Sequence, residues 1–91
     1  SSAMNMKQCK TLKPGAMVTE AWAVAGCDTL GMVLHKEYVL EEHYAKILGG
    51  RKQARYDLYV HWFKRPQYNL GNNPQNPEKV QCWEVKLLKN G

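Results

Sequence analysis

Ninety-one residues at 10.5 kDa, 44% hydrophobic and 23% charged, fit one small globular domain and exclude a multidomain enzyme, a disordered tail or a coiled coil. No run approaches the roughly 18 consecutive apolar residues of a membrane-spanning helix, and no charged-then-apolar leader opens the chain. Thirteen Lys and Arg against eight Asp and Glu leave +5, which favours acidic partners or simply keeps the domain soluble.

Residues 1–6 read as an expression scar, Ser1-Ser2-Ala3, followed by a disordered start, and residues 7–91 as the single domain. Residues 7–13 are polar and basic with only Cys9 and Leu12 to bury, which suits a lead-in arm. Pro14-Gly15 is a turn signal that leads into a strand over 17–24, favoured by Val18, Thr19 and Trp22. Gly26-Cys27-Asp28 breaks that segment, and residues 30–34 form a short apolar run in which Gly31 marks a bulge. Residues 39–48 are ambiguous. Leu40, Tyr44, Ile47 and Leu48 fall at helical spacings, yet 44–48 also reads as a half-buried strand with Ala45 and Ile47 on one face.

Gly49-Gly50 turns the chain into the basic residues Arg51, Lys52 and Arg55. The best strand runs over 56–63, with Tyr56, Leu58, Val60 and Trp62 on a core face and Asp57, Tyr59, His61 and Phe63 on the other. Lys64-Arg65-Pro66 ends it. Four asparagines with Gly71, Pro74 and Pro77 make 67–79 a long surface loop. Residues 80–89 resume order, with Trp83, Val85 and Leu88 as the expected anchors. Several short strands in so short a chain suggest a small barrel, because closure removes exposed edges.

Ala45-Lys46-Ile47-Leu48, a basic turn and then Tyr59-Val60-His61-Trp62 resemble the chromo barrel, or Tudor-knot, domain of MYST-type histone acetyltransferases and related chromatin subunits. Pro14-Gly15 with Val18 resembles that family's opening strand, and Asn76 with Cys82-Trp83-Glu84-Val85 resembles its closing segment. The resemblance covers residues 13–88. It implies a mostly β, SH3-like chromo barrel of about five strands, with room for a short C-terminal helix. It also favours a strand over 44–48. In function it implies a nuclear, non-enzymatic chromatin-targeting module whose parent protein is a histone acetyltransferase.

The residues themselves offer no catalytic set. His35, His43 and His61 lack the spacing of a zinc site, so neither metal nor another cofactor is expected. Three cysteines without close pairing read as reduced thiols of an intracellular protein. Cys27, the best candidate nucleophile, has no marked third group and reads as a small packed hydrophobe. Gly49-Gly50-Arg51-Lys52 lacks P-loop spacing and is explained as a turn.

Two sets remain. Trp22, Trp62, Phe63, Tyr68 and Trp83 exceed the needs of a minimal barrel core, and such rings either fill it or cage a methylated ammonium. The resemblance places one cage wall at Trp62. Arg51, Lys52, Arg55, Lys64 and Arg65 flank the best strand, and Lys7, Lys10 and Lys13 lie in the arm. They either form a solvated face or neutralise phosphates while Tyr59 or Tyr68 stacks bases. Histone tails are themselves basic, so +5 favours nucleic acid, RNA or DNA, as the partner. A methyl-lysine histone-tail reader is the alternative, followed by a docking domain for other subunits of a chromatin complex.

Overall fold

The computed structural model describes residues 3–22, 29–41, 49, 52–65 and 77–91. Five antiparallel strands form one sheet: β1 Met17–Glu20, β2 Leu30–Glu41, β3 Gln53–Lys64, β4 Glu78–Gln81 and β5 Val85–Lys89. Their order is β4-β3-β2-β1-β5. Strands β4 and β5 stand at opposite ends of that order, yet only a 3-10 turn at Cys82–Glu84 joins them. The twisted sheet therefore curls back on itself, as the expected small β barrel requires. The last described element is the strand β5, Val85–Lys89. Helix α1, Met6–Thr11, lies at the other end of the chain.

The alternation read over 56–63 is the frame of the core. Leu58 and Val60 are fully buried and Trp62 nearly so, beside Val18 of β1, Val33 of β2, Val80 of β4 and Val85 of β5. Burying each such side chain contributes about 1.5–3 kcal/mol. Register places Val33 opposite Val60 and Val80 opposite Leu58, so one apolar face runs across three strands. The predicted bulge is present: the β2–β3 register shifts between Leu30 and Gly31. A second shift between Val33 and His35 has no glycine to mark it.

Strand β2 is far longer than the predicted 30–34. Beyond the core, Tyr38 and Leu40 pair with Tyr56 and Ala54 but stay about half exposed, so this end is a two-stranded ribbon. The expected strand over 44–48 and nearly all of the expected loop over 67–79 lie outside the described residues. Glu78 and Lys79, assigned to that loop, belong to β4.

Three further expectations need correction. The disordered start does not extend to residue 6. Met4 is buried, its N–H donates to Val85 O at 3.0 Å, and Asn5 caps α1. In that cap Asn5 Oδ1 accepts from Gln8 N at 2.9 Å while Gln8 Oε1 accepts from Asn5 N at 3.0 Å. The lead-in arm is thus largely a helix, although Cys9 and Leu12 are its buried residues as read. Nor are all cysteines reduced. Cys9 and Cys82 form a disulfide across a Cα–Cα distance of 6.2 Å, tying α1 to the 3-10 turn. Finally, of the three expected C-terminal anchors Val85 is buried as read, but Trp83 and Leu88 are half exposed, and Val80 and Cys82 are buried in their place. Trp83 sits on a three-residue turn and Leu88 near the end of β5, where alternation no longer meets a covered face.

Candidate functional site

Among the described basic residues flanking β3, Arg55 and Arg65 are each engaged by carboxylates. Arg55 and Asp57 are two apart on the outer face, and Arg55 Nε donates to Asp57 Oδ1 at 3.0 Å. A second Arg55 nitrogen pairs with Glu41 of β2. Asp57 is 1% exposed, so its charge requires this partner, and Lys79 Nζ adds another at 3.6 Å. The hydrogen bond to Asp57 holds the Arg55 guanidinium above its ordinary pKa, against a smaller lowering by burial. Arg55 therefore serves the fold. On the same face Tyr59 donates to Glu37 Oε2 at 3.0 Å. Lys52 and Lys64 are exposed at opposite ends of β3, and Arg51 lies outside the described residues.

Arg65 is engaged even more closely. Its Nε donates to Glu20 of β1 and its Nη1 to Glu78 of β4. The guanidinium carbon stands 4.8 Å from the Trp62 ring centroid, within cation–π range. Burial pulls this guanidinium's pKa down, and the hydrogen bonds to Glu78 and Glu20 more than offset it, leaving the pKa raised.

These contacts are made in a cavity of about 250 Å³ where the ends of β1, β3 and β4 meet the 3-10 turn. Glu20 is fixed there by its own backbone, whose N–H donates to the buried Thr29 Oγ1 at 2.8 Å. Ala21 N donates to Glu84 O at 2.9 Å, which holds the following Trp22 beside the turn. Glu84 in turn accepts from Gln81 N at 2.6 Å. Among the described residues the walls thus carry two indole rings, Trp22 and Trp62, and three carboxylates, against the two cations Arg65 and Lys79. This local balance is acidic although the chain is basic. Such a volume is below the ~300–1,000 Å³ of drug-sized sites and suits one side-chain head group.

Of the four described rings proposed for a cage, Trp22 and Trp62 line this cavity. Trp83 packs edge-on against Trp22, with centroids 5.7 Å apart and planes at 86°. Phe63 follows Trp62 on β3, so it points to the opposite face, where it packs against His61 at 4.7 Å. Tyr68 lies outside the described residues. The carboxylates were missed in the sequence. They come from β1, β4 and the 3-10 turn, and no local spacing links Glu20 to Glu78 or Glu84. Among the described residues, no three His, Cys, Asp or Glu side chains converge as a metal set. No helix among them is long and apolar enough to cross a membrane. Comparison with protein-family models, with curated proteins and with solved structures finds no match in any of the three.

Proposed function

We propose that this domain is a non-enzymatic binding module that docks a cationic side chain of a basic protein segment in the Trp22–Trp62 cavity. One observation carries the reading: a cation, Arg65, is already held there by an indole face and two carboxylates. Walls of this kind attract cations and repel phosphate. The net charge of +5 is no objection, because the exposed Lys7, Lys10 and Lys13 lie on or beside α1 and do not line the cavity. A histone-type tail is the partner that the resemblance supplies. The chromatin setting, the nucleus and a parent acetyltransferase rest on that resemblance alone. The Cys9–Cys82 bridge opposes a nuclear setting, since reducing compartments keep thiols reduced.

Titration with a short lysine- and arginine-bearing tail peptide, followed by tryptophan fluorescence, tests the proposal. Glu20→Gln and Trp22→Ala should each weaken binding about tenfold. Equal affinity in both variants would refute it. A second reading, nucleic-acid binding, is favoured by the exposed Lys7, Lys10 and Lys13 and by Lys52 and Lys64. It predicts a steep salt dependence that Glu20→Gln leaves unchanged.

A further inference from the structure

We infer that the cavity selects a guanidinium, the side chain of an arginine in the partner segment, and that Arg65 is a resident stand-in which the ligand displaces. The inference rests on the cation-docking reading above. Arg65 joins three strands through one head group: it lies on the Trp62 ring and donates from different nitrogens to Glu20 and Glu78. Its side chain is only 17% exposed and that of Glu20 16%, so their contact is made largely out of water, while Glu78 reaches the guanidinium from the cavity's exposed side.

Any cation that takes the ring face must first part Arg65 from both carboxylates. A quaternary ammonium has no N–H to offer, so it would leave Glu20 and Glu78 without the donors they lose. An ammonium donates from a single point. A planar guanidinium places donors along two edges and stacks on indole, so it can remake the whole set. Exchange of one guanidinium for another is therefore nearly balanced inside the cavity, and replacement by a trimethylammonium is not. Arg65 also lowers the apparent affinity for every ligand by the fraction of time it holds the site.

The test uses the full chain and two small probes, N-acetyl-arginine amide and N-acetyl-trimethyllysine amide. Removing the occupant by Arg65→Ala should raise affinity for the arginine probe at least tenfold over wild type. The variant should also bind that probe at least tenfold more tightly than the trimethyllysine probe. Arg65→Gln keeps much of the side-chain bulk and an amide donor, so it guards against a folding failure of the alanine variant. It should show the same order of preference. Equal binding of the two probes, or preference for trimethyllysine, would overturn the guanidinium selection while leaving cation docking intact. Arginine binding that is no tighter in either variant than in wild type would overturn the stand-in role. Absence of binding of either probe to wild type and both variants would bring down the cation-docking reading and this inference together.

Discussion

Gly31 of β2 lies directly under the Trp62 ring: a Cβ built on Gly31 would fall 2.7 Å from Trp62 Cε3 and 2.6 Å from Val60 Cγ1. Both contacts are too close for a carbon atom, and both partners belong to the buried face of β3. The glycine thus does two jobs, standing at the register shift and leaving room for the indole beside it. Gly31→Ala should cost about 1–3 kcal/mol by overpacking. It should also shift tryptophan emission and weaken binding of the tail peptide. A denaturation midpoint and emission spectrum equal to wild type would show that the ring is free to move aside.

The same glycine shows where the sequence was readable. Its place inside a short apolar run marked a bulge, and the strict alternation from Tyr56 to Phe63 marked a half-buried strand; both features follow from local chemistry. The far end of β2 was not readable. There Tyr38, Val39 and Leu40 lie on the two-stranded ribbon, with little covered surface, so burial imposes no period on the residues. Helix α1 has six residues, too few for a hydrophobic period, although Asn5 and Gln8 spell a capping box. The Cys9–Cys82 pairing spans 73 residues, and no spacing rule reaches so far. The site was half readable for the same reason. Trp22 and Trp62 stand out by residue type, but the carboxylates that claim Arg55 and Arg65 come from other strands. A count of basic residues along the chain therefore overstated the free positive charge.

Leu58 is fully buried at the centre of β3, opposite Val80. Leu58→Ala should destabilise the domain by about 2–5 kcal/mol, the range for a buried leucine truncated to alanine. Urea unfolding measures this directly, and a loss below 1 kcal/mol would place Leu58 outside the core.

The disulfide closes a loop of 73 residues, for which loop-closure entropy predicts roughly 4 kcal/mol of stabilisation. Reduction should lower the urea midpoint accordingly and loosen α1. Thiol titration of the unfolded, unreduced protein should find one cysteine of the three. Three reactive thiols in protein purified without reductant would contradict the bridge.

Tyr59 donates to Glu37, and this hydrogen bond, followed by burial and the carboxylate's charge, holds its pKa above the ordinary tyrosine value of about 10. Raising the folded pKa stabilises the neutral phenol. The contribution is complete below the unfolded value and is lost as pH rises through the folded one. Glu37→Gln should bring the Tyr59 titration back toward about 10 in a spectrophotometric difference against wild type. Superimposable titration curves would mean that Tyr59 and Glu37 do not pair in solution.

The proposed binding site is the acidic cavity and not the basic face. NMR of the tryptophan indole N–H signals tests it most directly, with one titration of a lysine- and arginine-bearing tail peptide and another of single-stranded RNA at the same salt. The peptide should shift the Trp22 and Trp62 indole signals in a saturable way, while RNA at equal concentration leaves both in place. Saturable shifts of those two signals by RNA, with none from the peptide, would contradict the account.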